Sequence, residues 1–180
     1  MRTLNLNRLP LLVLVAFTTL NTNVSIAQTD AGGAEAIFQD ELLNNFVGTW
    51  KADATVHKNK FTLNFKVDWV LNHQYLRVYF ISDEIIPWLK VPFESELYLG
   101  FDRTKQQYTF HELTVHGDAG PFEERLSSVE KTGNELRLIK KRADADMTII
   151  QRFVWDPAAK TWLIVSRLLT DGKESEPFWK

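Results

Sequence analysis

The chain contains no cysteine. A disulfide framework, a cysteine nucleophile and a lipid-anchored lipoprotein are therefore all excluded, and the protein must be held together by its core. Glycine is scarce, at eight residues in 180. None of the eight forms a phosphate-cradling loop, and no Gly-x-Ser-x-Gly elbow is present, which leaves nucleotide enzymes and elbow-type hydrolases without their signatures. Charge of either sign is not in excess, with 21 basic and 23 acidic residues. Nothing in that balance attracts nucleic acid or an anionic membrane. No apolar run approaches the roughly 20 residues that a membrane-spanning helix requires.

The longest apolar run, residues 9–20, follows Arg2 and Arg8 and leads to Ser25-Ile26-Ala27. A basic start, a short apolar stretch and small residues at the end make a signal peptide, with cleavage expected after Ala27. On this reading residues 1–27 are a leader, 28–34 a flexible tether and 35–180 a single domain. The expected location is the periplasm or the medium of a bacterium. Twelve Phe and six Trp supply bulky filling for a core of that size.

Ile37, Phe38, Leu42 and Phe46 recur at helical spacing and predict a short helix over about residues 35–44, lidding one end of the fold. Beyond it the period changes to two. Trp50, Ala52, Ala54 and Val56 alternate with polar residues, as do Phe61, Leu63, Phe65, Val67, Trp69 and Leu71. Further strands are expected over residues 74–83, 94–102, 106–116, 122–131, 135–141, 146–156 and 161–170. Asp171-Gly172 is a two-residue hairpin signal, so residues 173–180 are expected to return as a tenth strand and pair with the first, although Pro177 cannot donate to a ladder. The predicted architecture is all-β: an up-and-down antiparallel β-barrel of about ten strands with a short N-terminal helix.

Alternate connections of such a meander share an end. The short turns at 72–73, 102–105, 131–134 and 156–160 fall with the start of the first strand, where Phe46-Val47-Gly48-Thr49-Trp50-Lys51 is expected to form a structural floor, Gly48 allowing a tight turn and Trp50 plugging the base. The opposite end collects the longer connections and becomes the expected mouth. Residues 84–93 stand out there as a loop with many apolar side chains between Pro87 and Pro92. Trp88 and Phe93 are accordingly candidate portal residues, either flapping over an apolar cavity or folded in as core.

Gly48-Thr49-Trp50 after a short helix, the segment from Trp69 to Arg77, and Leu99-Gly100-Phe101-Asp102 before Tyr108 together resemble a lipocalin-like (calycin-type) bacterial family of unknown function. The resemblance spans nearly the whole mature chain and implies a barrel that contains something. The chain is similar, more weakly, to fatty-acid-binding proteins, which insert a helical pair where only 57–60 stands here. It is also similar to haem-binding nitrobindin-type barrels, but no His follows His116.

No catalytic or metal constellation emerges from the spacing. His111 and His116 point to opposite sides of one regular strand, and so do His111 and Glu112. Asp144 and Asp146 fit a solvated turn. Neither cofactor nor metal is assigned. Polar residues on apolar strands are better candidates for contact with a ligand: Arg77 between Tyr75 and Tyr79, and Arg152 and Arg167, any of which would anchor a carboxylate head group if it faced inward. Arg152 has the alternative of stacking on Trp50. Lys51, Asp53, Lys66 and Asp68 on the outward positions oppose insertion into a membrane as an outer-membrane barrel. Residues 76–81 and 147–155 are apolar on both faces, so the helix or a second subunit is expected to cover them, which leaves a homodimer open.

The leading expectation is an exported barrel that binds a small apolar or amphipathic molecule in its lumen through Trp88, Phe93, Tyr79, Arg77, His111, Arg152 or Arg167. The alternatives are a barrel enzyme using His111 or Glu112, and an envelope interaction module without a cavity.

Overall fold

The structure, a computed structural model, describes residues 15–19 (backbone only), 37–56, 59–115, 128–141 and 148–177. The expected cleavage site and tether lie outside those residues. Strands β1 (Val15–Thr19), β2 (Gly48–Val56), β3 (Asn59–Val70), β4 (Tyr75–Ile86), β5 (Val91–Asp102) and β6 (Gln107–Thr114) are followed by β7 (Ser128–Thr132), β8 (Glu135–Lys141), β9 (Thr148–Asp156), β10 (Thr161–Thr170) and β11 (Lys173–Glu174). They form one antiparallel sheet in sequence order. This is the meander that the period of two implies; β2, β3, β6, β8, β9 and β10 fall close to their expected limits, whereas β7 is described only from Ser128, residues 122–127 of its expected span lying outside the described residues.

Two turns use the same device. Asp102 accepts from the amides of Thr104 and Lys105, and Asp156 from those of Ala158 and Ala159, while Gln106 and Lys160 close the turns at positive φ. At the β10–β11 hairpin both Asp171 and Gly172 have positive φ, the conformation that an Asp-Gly pair favours.

Three expectations need correction. The tail does not reach the first strand: β11 is two residues long and pairs with β10 through Leu169↔Glu174 and Thr170↔Lys173. Between β2 and β10 lies instead the Val15–Thr19 backbone, inside the segment read as a leader, with Ala16 opposite both Asp53 and Leu163. Second, residues 84–93 are not a long loop. β4 and β5 extend through most of it to a turn at 87–90, with Ile86↔Val91 paired and the register shifted between Ile81 and Ile85. Pro92 is tolerated there because it sits near the strand end. Third, the helix α1 is a single turn, Glu41–Asn44.

The helix is short because Asp40 starts it. Asp40 has extended backbone and its carboxylate accepts the Leu43 amide at 3.0 Å, an N-cap that satisfies one orphan donor. The residues before it run out of the helix, and Phe38 stacks on Phe101 with ring centroids 5.4 Å apart. After the helix the chain offers bare carbonyls, and indoles from the sheet take them: Trp50 Nε1 donates to Phe46 O at 2.6 Å and Trp162 Nε1 to Asn45 O at 3.3 Å. Gly48, at φ 138°, lets the chain swing from this turn into β2.

Alternation then sorts the sheet into two faces. Trp50, Ala52 and Ala54 on β2, Phe61 to Val67 on β3, Leu76 to Phe80 on β4 and their counterparts on later strands make one buried cluster with Leu42, Leu43 and Phe46 of the helical turn. The Phe46 ring lies between Trp162 (4.7 Å), Phe153 (5.9 Å) and Trp50 (6.2 Å), while Trp50 meets Trp155 of β9 edge to face. The early and late strands are thereby drawn together around one aromatic nucleus at the helix end of the sheet.

Asp40 fastens this end. Besides capping α1, its second oxygen accepts from the Tyr108 hydroxyl and from Lys131 Nζ at 2.7 Å, joining the helix to β6 and β7. Burial alone would raise the Asp40 carboxyl. Hydrogen bonds from Lys131, Tyr108 and the Leu43 amide, with the charge of Lys131, overcome this and hold it below the ordinary value of 3.8. The Tyr108 hydroxyl is pushed upward by burial and by the same carboxylate. Because the folded pKa of Asp40 is depressed, its stabilisation is complete above the unfolded value and is lost as pH falls through the lower folded value. Asp40→Asn is expected to cost about 2 kcal/mol in urea unfolding at neutral pH and to flatten the acid limb of the stability profile. An unchanged acid limb would show that Asp40 does not hold this end together.

Candidate functional site

Toward the far end of the sheet, away from the helix, the core face changes character. The alternation that buries Leu136 and Leu138 on β8 also buries Lys140, and the alternation that buries Trp162 and Ile164 on β10 also buries Ser166. On β9 Gln151 faces the same way as Ile149 and Phe153, and on β6 Glu112 follows Phe110. Sheet register brings these together. Leu138 stands opposite Gln151, which stands opposite Ser166, and Lys140 stands opposite Ile149 on the next step. Lys140 is thus a diagonal neighbour of Gln151.

The electrostatics of this cluster are unusual for a core. The Lys140 side chain is 0 % exposed and its Nζ lies 2.5 Å from Glu112 Oε2, on a side chain 13 % exposed. Two further buried hydroxyls on this face are engaged: Ser82 Oγ donates to Glu84 O and accepts the Phe93 amide, and Ser95 Oγ donates to Leu113 O. Ser166 differs. It is 0 % exposed, and its Oγ has no hydrogen-bond partner among the described residues. A buried hydroxyl left unpaired is costly, so it marks a position where something else is expected to bond.

The sequence-predicted residues divide by face. Phe93 is buried on the core face at the far end, its ring 5.3 Å from Phe80. Trp88, in the β4–β5 turn and 43 % exposed, meets the Phe61 ring edge to face at 6.0 Å. Both stand toward the end of the sheet away from the helix. Gly48 and Trp50 lie at the helix end. The other five candidates stand on the opposite face. Arg77 forms a two-pronged pair with Asp68 at 3.0 and 2.9 Å, which holds it firmly protonated. The Tyr79 hydroxyl donates to Glu94, and that bond raises its pKa. His111 is exposed beside Tyr75.

Arg152 and Arg167 belong to a cluster that pins the tail. Arg152 reaches Glu135 at 2.8 Å and Glu174 at 2.6 Å, Arg137 also reaches Glu174, and Arg167 donates to Ser175 O. Burial would raise the Glu174 carboxyl, but Arg152 and Arg137 outweigh it and hold it low. Arg152 does not stack on Trp50; that contact is made by Trp155. His111 and Glu112 point apart, so the two do not assemble as an acid–base pair. Among the described residues no group of three His, Asp or Glu gathers to hold a metal.

Sequence reasoning fixed on arginines and passed over Lys140 and Ser166. For Lys140 the missed signal was parity, since it shares a face with Leu136 and Leu138; Ser166 shares a face with Trp162 and Ile164, but β10 is apolar on both sides and gives no such signal. Comparison with known family models, curated proteins and solved structures yields no match.

The ion pair generates a direct check. Lys140→Met leaves the Glu112 carboxylate buried without this partner and is expected to lower stability in urea unfolding by about 3–5 kcal/mol. Adding Glu112→Leu is expected to restore most of that loss. A single variant as stable as the parent would show that the pair is not enclosed.

Proposed function

We propose that the chain is an exported, calycin-like β-barrel that binds a small amphipathic molecule between the faces of its curled sheet. Export rests on the leader pattern of residues 1–27, and the barrel on the sequence-order meander and on the ring contacts that link β2 with β9 and β10 through Phe46 and Trp50. On this reading removal of the leader takes Val15–Thr19 out of the seam, and β2 and β10 pair with one another directly, leaving no open edge.

The observation that carries the binding reading is the Ser166 hydroxyl, buried without a partner among the described residues on the same core face as Gln151 and the Glu112–Lys140 pair. An interior that is apolar at one end and polar at the other suits a molecule with both characters. The short side chains of Ala52 and Ala54 keep the β2 wall shallow, and Phe61, Trp88 and Phe93 guard the far end as a portal. The arginines lose the anchoring role proposed for them, because each has acidic or carbonyl partners on the opposite face.

A second reading, an interaction module, is favoured by one feature: Ile85, Val91, Leu113 and Val115 are exposed near the same end. Dye titration separates the two. An apolar fluorescent dye is expected to bind the purified exported protein in one saturable site, and Trp88→Ala to weaken it by about threefold to tenfold, the loss of one aromatic contact. Saturable binding unaffected by Trp88→Ala would remove the portal, and absence of binding would give the lead to the interaction module. In the exported protein, amides of both β2 and β10 are expected to resist hydrogen exchange as fully as those of β4. Rapid exchange along either strand would contradict closure.

A further inference from the structure

The tip of the β4–β5 hairpin is apolar on both faces. Ile85 stands opposite Pro92 and Ile86 opposite Val91; alternation puts Pro92 in step with Glu94 and Glu96 on the outer face, and Val91 in step with Phe93 on the core face. Both faces are nonetheless wet at the tip. Ile85 is 63 % exposed on the first and Val91 45 % on the second, and Trp88 is exposed in the turn between them. Val115, whose amide donates to Glu94 O, and Leu113, opposite Glu96, carry the exposed apolar surface on to the neighbouring strand.

Charge is distributed just as unevenly. Between residues 85 and 92 the only charge is Lys90, which is exposed, has positive φ and makes no ion pair among the described residues. Acidic groups begin where the strands leave the tip, and each is tied sideways to the sheet: Asp83 to Lys51 and Asn64, Glu84 to the Thr62 amide, and Glu94 to the Tyr79 hydroxyl. The tip thus presents one cation set in apolar surface, with the acids held back from it.

These features choose between partners. A groove on another protein covers one face of a hairpin and leaves the other wet, whereas the headgroup layer of a bilayer closes round a tip on every side. From the Ile85–Pro92 pair to the turn at 87–90 is about 7–10 Å at the usual strand rise, which matches the depth to which surface-bound segments sink their apolar side chains. Tryptophan and lysine suit that boundary, the indole at headgroup level and the ammonium against phosphate. We infer that the β4–β5 tip docks on a phospholipid surface, with Ile85, Trp88 and Val91 among the headgroups and Lys90 at a phosphate, while Asp83, Glu84 and Glu94 stop it from sinking further. The docking goes beyond the binding reading and does not depend on an occupied interior. Where both hold, a guest passes between the bilayer and the far end of the sheet without crossing water.

The test is flotation of the purified exported protein with vesicles of phosphatidylcholine containing about one quarter phosphatidylglycerol. The parent is expected to float with them. Ile85→Ser combined with Val91→Ser, both at exposed positions, is expected to weaken binding about tenfold, and Lys90→Glu about fivefold. Leu71→Ser, which trims an exposed residue in the turn at the helix end, is expected to leave binding unchanged. A parent that does not float overturns the inference and returns these residues to a protein partner. So does flotation that survives the double substitution, that ignores Lys90→Glu, or that falls as far with Leu71→Ser, since general stickiness then explains it. Flotation that persists while the apolar dye fails to bind would remove the lumen reading and leave the docking standing.

Discussion

One carboxylate determines how the rest of this molecule is arranged. Asp40 caps the single helical turn, accepts the Tyr108 hydroxyl of β6 and binds Lys131 of β7, so one buried group fixes the N-terminal plug against the middle of the sheet. From that fixed point the Phe46 ring is delivered among Trp50, Phe153 and Trp162, and the carbonyls at the end of the turn are met by indole donors. A meander of antiparallel strands has no intrinsic reason to bring rings of its early and late strands together. Here the reason is an aromatic nucleus that needs walls on several sides, tied down by a charge that is stable only while its donors remain in place.

The consequence is a division of labour along the strands. At the helix end large rings fill the space, and their few polar atoms are satisfied by the plug. Toward the far end the same core face carries Glu112, Lys140, Gln151 and Ser166, with Ala52 and Ala54 in place of large residues on β2. A protein built only for stability would gain from apolar residues at these positions, because a buried ion pair seldom outperforms a well-packed hydrophobic replacement. Retaining a buried ion pair and a hydroxyl unbonded among the described residues is intelligible if the interior has to recognise something. The opposite face shows what purely structural polarity looks like by contrast: Arg77, Arg152 and Arg167 all engage neighbouring carboxylates or carbonyls and secure strands or the tail.

Much of the fold was legible from the period of two, because a strand with one dry face announces itself residue by residue, and Asp171-Gly172 announced its hairpin by the backbone it requires. The helix was overestimated since Phe38 obeys helical spacing yet is used as a ring stacked on Phe101 outside the helix. The apolar segment 84–93 read as a loop because two prolines bracket its centre, whereas a register shift after Ile81 lets the ladder continue to the turn. The candidate site was less legible. On β9 and β10 both faces carry apolar residues, so periodicity could not decide whether Arg152 or Gln151, Arg167 or Ser166, looked inward. Only the pairing of rings such as Trp155 with Trp162 settles that choice, and it is a tertiary contact with no local signature.

The central claim is that the polar patch around Ser166 exists to meet a guest. Native mass spectrometry of the protein recovered from its own host tests this most directly, because a retained molecule is weighed rather than inferred. The account predicts a non-covalent adduct of a single amphiphile that is depleted in Ser166→Ala. The mass of the bare chain alone, under conditions that preserve other non-covalent complexes, would contradict it.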